Sequence, residues 1–400
     1  MTGWFSAFSA FCMVGFFARL SYALARSPVL PLFALYLGAG PEAIGLAVGV
    51  STVTGIFFKL PAGALSDVIG RTKTLLAGLV VFAVMPFTYL FVQDYGLLII
   101  IRFVHGLATA IYGPVAMAVA AEVAAEKRGE VLSWFSSVTI IGNLVGAPIG
   151  GLILHSLANA PEPSIVDFHH AYIISGISGV IALILGLGVL KADKVARSGD
   201  GVGEAYRNFI SGIKEVVSDT RVVVTSVMEG LQTMSVGALE AFLPIYAVTV
   251  AGLNEFQSGL LWGIQVVSTI VSKPIMGRRS DRYGRKPLIV AGLILCAVSF
   301  AAIPLFKAFY LLMLCGIVFG LGEALVTSSG AALVADICKE RHFGTAMGTF
   351  GTIFDVGHAS GPILAGILIA RLSYLRSFWI MAAIILLSIP LFVTQVKLEK

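Results

Sequence analysis

Charge is scarce in this chain, and that scarcity decides its class. Of 400 residues, 12% are Asp, Glu, Lys or Arg and 58% are apolar, with a mean hydropathy of +0.94. A water-soluble domain carries about twice that share of charge, so a soluble enzyme or binding module is excluded. Cysteine is scarce too. Cys12, Cys296, Cys315 and Cys338 lie in or beside apolar runs and read as small buried residues, with no disulfide framework. Alternating ten-residue segments are lacking, which excludes a membrane β-barrel. There is no Gly-x-Ser-x-Gly elbow, no phosphate-cradling glycine loop followed by Lys and Ser or Thr, and no metal-ligand spacing. An enzyme is therefore not expected, nor a cofactor or a metal, nor any drive from ATP.

What is present is apolar runs of spanning length. Twelve are centred near residues 23, 53, 82, 109, 143, 181, 235, 267, 296, 322, 358 and 384, each long enough for a hydrocarbon core about 30 Å thick. The fold class expected is an all-α membrane protein of twelve transmembrane helices. No basic region precedes the first run, which is proline-interrupted and stays as a spanning segment rather than a cleaved leader. The net charge of +5 is explained by topology, not by nucleic acid. With the N-terminus inside, the inward loops carry Arg71, Lys73, Lys127, Arg128, Arg221, Arg278, Arg285 and Arg341, whereas the outward loops carry Lys307, Arg371 and Arg376. That asymmetry places both termini in the cytoplasm, in a multi-pass protein of the cell (inner) membrane.

The runs are organised around a duplication. Gly63, Asp67, Gly70 and Arg71 recur as Gly277, Asp281, Gly284 and Arg285, 214 residues later. The same offset joins Gly45 to Gly259, Gly49 to Gly263, Lys59 to Lys273, Gly106 to Gly320 and Glu122 to Asp336. A fixed offset over this distance marks two copies of one large unit. The expected division is 1–190, a cytoplasmic linker over 191–221, and 222–400. Within the linker, Tyr206, Phe209, Ile210, Ile213, Val216 and Val217 share one helical face, which predicts an amphipathic helix on the membrane surface. Pro28 and Pro31 should kink the first run. The polar stretch from His155 to His170 reads as a solvated outer loop.

Gly-x-x-x-Asp-x-x-Gly-Arg, present twice, resembles the signature of the major facilitator superfamily. Val68 departs from its usual basic residue, while the second copy is complete with Arg282. Arg102-x-x-His105-Gly106 is similar to a helix 4 motif of that family's proton-linked drug exporters, with His for the usual Gln. Gly357-x-x-x-Gly361-Pro362 resembles the family's antiporter motif, better formed here in the eleventh run than in the fifth, where Gly142, Gly146 and Pro148 are shifted. The resemblance implies two six-helix bundles, a central cavity lined by runs 1, 4, 7 and 10, and rocking between two open states. It also implies that the signature loops latch one of those states. Asp and Arg four apart can meet on one helical turn, an acid at the start of the next helix favours its dipole, and the glycines permit close packing and a tight reversal.

Ionisable residues inside spans are costly, at about 2.5–3.5 kcal/mol each on the lenient insertion scale, and so mark function. The first half holds Arg19, Arg26, Lys59 and Arg102 with His105. The second holds Glu229, Glu240, Glu323 and Asp355 with His358, and Lys273 near its mouth. One half is basic and the other acidic. Arg26 and Glu240 stand 214 apart, which predicts similar depth on opposing helices, paired with each other or holding a substrate. Glu229 and Arg19 are expected nearer the cytoplasmic ends, where long side chains can snorkel. Asp355 and His358, three apart, could face together and carry a proton; Glu323 is a second proton candidate. Mutual structural neutralisation is the alternative for Arg26 with Glu240 and for Glu229 and Arg19; for Asp355 it is a cap on a kink before Gly357.

The function expected is proton-coupled, alternating-access export of small amphipathic organic compounds by a monomer in the lipid bilayer. The alternatives are uptake or exchange of an organic anion or zwitterion held by Arg19, Arg26 and Lys59, and a non-transporting membrane sensor.

Overall fold

The computed structural model describes residues 2–123, 128–156, 163–190, 219–338 and 343–396. Among these, twelve helical stretches are long and apolar enough to cross a membrane. The amphipathic helix expected over 204–217 lies outside the described residues.

The first span is broken where the prolines predict it. Helix α1 (Thr2–Leu24) stops before Ser27-Pro28, and α2 (Val29–Tyr36) resumes the run. Then follow α3 (Pro41–Ile69), α4 (Arg71–Thr88), α5 (Tyr95–Val123), α6 (Arg128–Ser156) and α7 (Ile165–Val189). The polar stretch after α6 is shorter than the sequence suggests. His155 belongs to the last turn of α6, and His169 and His170 to α7, because Ser164 and Asp167 form a capping box that starts α7 early. Asp167 Oδ2 accepts from both the backbone N and the Oγ of Ser164, at 2.7 Å each, satisfying a backbone donor that a helix start leaves open.

The second copy repeats the order with α8 (Thr220–Ile245), α9 (Glu255–Tyr283), α10 (Arg285–Ala302), α11 (Phe309–Ile337), α12 (Phe343–Arg371) and α13 (Tyr374–Gln395). Asp219 caps α8 and Asn254 caps α9. Two compact units result: Met1–Ala39 with Val50–Ala205, and Gly40–Gly49 with Tyr206–Lys400. The first turns of α3 thus cluster with the second unit.

The duplication is legible in atomic contacts. Thr54 Oγ1 donates to the Phe103 carbonyl at 2.8 Å, and 214 residues on Ser268 Oγ donates to the Ile317 carbonyl at 2.7 Å. Gly106 lies against the Ser51 carbonyl, and Gly320 against that of Gln265. In the first unit α1 packs on α6 and α7, and α4 on α5 and α7; in the second α8 packs on α12 and α13, and α10 on α11 and α13. The first core gathers Phe82, Tyr112, Phe135 and Leu79 around α1. One frame has been built twice. What differs between the copies is the set of ionisable residues buried in each.

Candidate functional site

In the second unit, polar residues converge inside the helices. Helix α8 is buried nearly all round, so its polar side chains meet protein, not lipid. Glu229 is 1% exposed, and neither of its carboxylate oxygens has a hydrogen-bond partner among the described residues. Lys273 and Glu323 lie within electrostatic range of it. Glu323, on α11, accepts from Gln265 Nε2 at 2.6 Å and from Thr269 Oγ1 at 3.0 Å. Those donors are four apart on α9, one turn below each other, and Lys273 continues the same face. Gln232 and Gln265 are buried, each with a side-chain oxygen that lacks a partner among the described residues. The cluster therefore offers acceptor oxygens in excess of donors. An ionised carboxylate without donors in such a place costs several kcal/mol more than a neutral acid, so the energy of this arrangement depends on whether Glu229 carries a proton. This burial replaces the snorkelling position expected for Glu229.

A second carboxylate of α8 lies near a histidine of α12. Glu240 Oε2 stands 3.4 Å from His358 Nε2, and the imidazole lies parallel to the Phe354 ring. The helices can come this close because glycine lines the seam. Gly357 abuts the Gly230 carbonyl, Gly361 that of Met234, and Gly237 that of His358; a Cβ at any of them would collide with backbone. His358 thus reaches Glu240, a partner that the spacing to Asp355 does not indicate, and Asp355 is half-buried on α12. Pro362 lies inside α12, as Pro148 does inside α6, where Gly142 abuts the Phe16 carbonyl and Gly146 abuts Ala23.

The first unit buries cations among aromatic rings. Arg102 and His105 are 0% exposed. The Arg102 guanidinium lies 4.9 Å from the centre of the Tyr22 ring, and that of Arg26 lies 5.7 Å from the same ring. The negative face of an aromatic ring attracts a cation most strongly where water is excluded. Tyr89 shares a 3.1 Å hydrogen bond with His105 Nδ1 and stacks on Tyr172 at 4.3 Å. Arg19 is half-buried, with its guanidinium over Gly113. Lys59, the last residue of the apolar run Pro41–Lys59, is exposed at the protein surface. Arg26 belongs to the first unit and Glu240 to the second.

At the second signature, α9 ends at Tyr283 and Gly284 turns the chain at φ 90° and ψ 148°; Gly70 does the same after α3 at φ 101° and ψ 139°. Only glycine tolerates that region. Arg285 opens α10, where a cation opposes the helix dipole. It is compensated by Asp281, by Asp336 Oδ2 at 3.1 Å, and by Ser280 Oγ at 2.6 Å. Two expectations need correction. Asp281 and Asp67 stand in the last turns of α9 and α3, not at the start of the next helices, so Arg285 reaches Asp281 around a corner. Gly63 and Gly277 make no close packing contact among the described residues: a Cβ added to either would meet none of their atoms within 4 Å. Arg71 opens α4 as Arg285 opens α10; the side chains of Asp67 and Glu122 lie outside those described.

A model of the Major Facilitator Superfamily matches residues 11–271 and 255–399. The chain belongs to the Major Facilitator Superfamily. It is 22% identical over 366 residues to an uncharacterized MFS-type transporter of Methanocaldococcus jannaschii, covering 91% of this chain and 89% of that one. It is 23% identical over 370 residues to the multi-drug resistance efflux pump PmrA of Streptococcus pneumoniae, covering 88% and 86%. Its fold is similar to that of the crystal structure of the nucleoside transporter NupG, with a TM-score of 0.83, 13% identity, and coverage of 98% and 100%. This is a membrane transporter of the superfamily, not an enzyme.

Within this superfamily member, sequence reasoning misses the complete enclosure of Glu229 by protein and the contact of Asp336 with Arg285. The signal for the first is present: α8 carries Glu229, Gln232, Thr233 and Glu240, too many polar groups for a face against lipid. The signal for the second is the offset pairing Asp336 with Glu122.

Proposed function

We propose that the protein is a secondary active transporter that exports small amphipathic organic compounds by alternating access, in exchange for protons. Glu229 carries this reading. It is a fully buried carboxyl whose oxygens have no hydrogen-bond partner among the described residues, within electrostatic range of Glu323. Binding of a proton there removes the cost of holding an ionised carboxylate away from donors. Its loss restores that cost and favours a state in which water reaches the group. The coupling proton rests on Glu229 or Glu323; Glu240 with His358, and Asp355, are the further groups through which it could pass. Arg102 would set the charge against which a carboxylate is held ionised. Likeness to a multidrug efflux pump over most of both chains supports export. The basic residues flanking the spans support a cytoplasmic position for both termini in the cell membrane.

The test is accumulation of a fluorescent amphipathic cation in proteoliposomes with an acidic interior. Wild type should concentrate the dye until the pH gradient is collapsed. Dye uptake indifferent to collapse of the gradient would refute proton coupling.

One observation favours a second reading, uptake or exchange of an organic anion or zwitterion. Arg26 and Arg102 both face the Tyr22 ring, and Arg102 is fully buried there. Exchange driven by an organic anion at equal pH on both sides would favour it.

A further inference from the structure

The two signature corners share a frame and differ on the surface. Gly63, Ser66, Asp67, Gly70 and Arg71 match Gly277, Ser280, Asp281, Gly284 and Arg285, but the four other positions do not match. Where the first copy has Ala64, Leu65, Val68 and Ile69, the second has Arg278, Arg279, Arg282 and Tyr283. Leu65, Val68 and Ile69 are exposed, as an apolar face against lipid chains would be. Arg278, Arg279 and Arg282 are exposed as well, and Tyr283 is 63% exposed.

These arginines are not consumed by the corner itself. Its carboxylates, Asp281 and Asp336, are both engaged by Arg285. Lys286 is also committed, donating to the carbonyls of Val393 and Val396 at 2.6 and 2.8 Å, at the end of α13. Arg278 and Arg282 are four apart and share a face of α9, with Arg279 beside them. The Arg282 guanidinium lies 5.6 Å from the centre of the Tyr283 ring. All four close the spanning helix α9, and the end of a span is where headgroups are met and where tyrosine anchors a helix.

We propose that this corner binds the headgroup of an anionic phospholipid. Guanidinium forks match phosphate oxygens in pairs, which an ammonium cannot do. The tyrosine ring gives the glycerol and first methylenes an amphipathic wall. A general topological need for positive charge does not explain the cluster. The first corner ends a span on the same side, an even number of crossings away, and has apolar residues at the matching positions. The lipid would therefore bias the second latch alone, since Arg282 adjoins Asp281 and Arg285 follows within the same turn of chain. This inference does not depend on the transported compound or on proton coupling.

The test uses the full-length protein, delipidated in a non-ionic detergent and titrated with dioleoylphosphatidylglycerol or dioleoylphosphatidylcholine, with bound lipid counted by native mass spectrometry. Wild type should prefer phosphatidylglycerol by about tenfold or more, since each basic residue near an anionic headgroup contributes substantially. Arg278→Gln/Arg279→Gln/Arg282→Gln should abolish the preference, and the corresponding triple lysine variant should keep only part of it. Millimolar inorganic phosphate should leave the lipid bound. Equal binding of the two lipids by wild type overturns the proposal, as does an undiminished preference in the glutamine variant or displacement by phosphate alone. Should the glutamine variant fail to fold, a salt series on wild type decides. A preference that weakens between about 0.05 and 0.5 M salt supports the site, and one that does not overturns it.

Discussion

Arg285 and Asp336 meet at 3.1 Å across the end of the second unit, although 51 residues separate them in the chain. The contact ties the start of α10 to the end of α11, while the same guanidinium holds Asp281 at the end of α9. Three helix ends are joined by one side chain. Both carboxylates are largely exposed, so each pair contributes about 0.2–1 kcal/mol. That is too little to decide folding and enough to bias two states that differ by a few kcal/mol. Asp336→Asn should therefore leave the melting temperature within about 2 °C, a small shift expected from a loss of this size in a large chain, while changing the transport rate about two- to fivefold. Arg285→Gln, which removes both pairs, should change it more. Equal rates in wild type and both variants would remove the latch from the account.

The glycines of the chain divide sharply, and thermal melts can test the division. Gly361→Ala would drive a Cβ into the Met234 carbonyl and should destabilise by about 1–3 kcal/mol, the usual cost of overpacking. Gly284→Ala must hold φ 90° and should cost about 1–3 kcal/mol from backbone strain. Gly277→Ala meets open space within α9 and should be neutral or stabilising by up to about 1 kcal/mol. A melt in which Gly277→Ala is the worst of the three would contradict the packing described here.

Asp219 gives a pH dependence with a definite sign. Its side chain accepts from the Arg221 backbone N at 2.9 Å and from the Arg221 guanidinium at 3.1 and 2.8 Å. Chiefly through those hydrogen bonds to Arg221, the carboxyl is held below its usual value. A group depressed in the folded state stabilises above its unfolded value, about 3.9, and that contribution is lost as pH falls through the folded value. Asp219→Ala should cost about 1 kcal/mol at pH 7, the worth of an N-cap. The difference from wild type should shrink steadily below about pH 4, where the unfolded carboxyl begins to protonate. A gap that stays constant down to acid denaturation would show that the ionised cap is not the cause.

The sequence discloses the architecture because spanning length and a fixed repeat offset are one-dimensional signals. Twelve runs, two copies and a break at Pro28 can all be read from it. The sidedness of polar residues cannot, because neighbours lie far apart in the chain. Spacing along α12 offers His358 only Asp355, and says nothing of Glu240, which the glycine seam between α8 and α12 sets 3.4 Å from it. Position in the run puts Glu229 near a helix end; the packing of α8 against α12, α13 and α11 buries it instead. Gly63 and Gly277 look like contact residues because they recur, yet recurrence says nothing about what a missing side chain faces.

The central claim is that Glu229 or Glu323 holds the proton that drives transport. The direct measurement compares dye counterflow with pH-driven dye accumulation in proteoliposomes containing wild type, Glu229→Gln or Glu323→Gln. Both permanently neutral variants should retain counterflow within about threefold, and at least one should lose accumulation by about a hundredfold, as loss of an essential acid–base group implies. If both variants accumulate dye as wild type does, under the same pH gradient, the buried carboxyls of the second unit are not the coupling site.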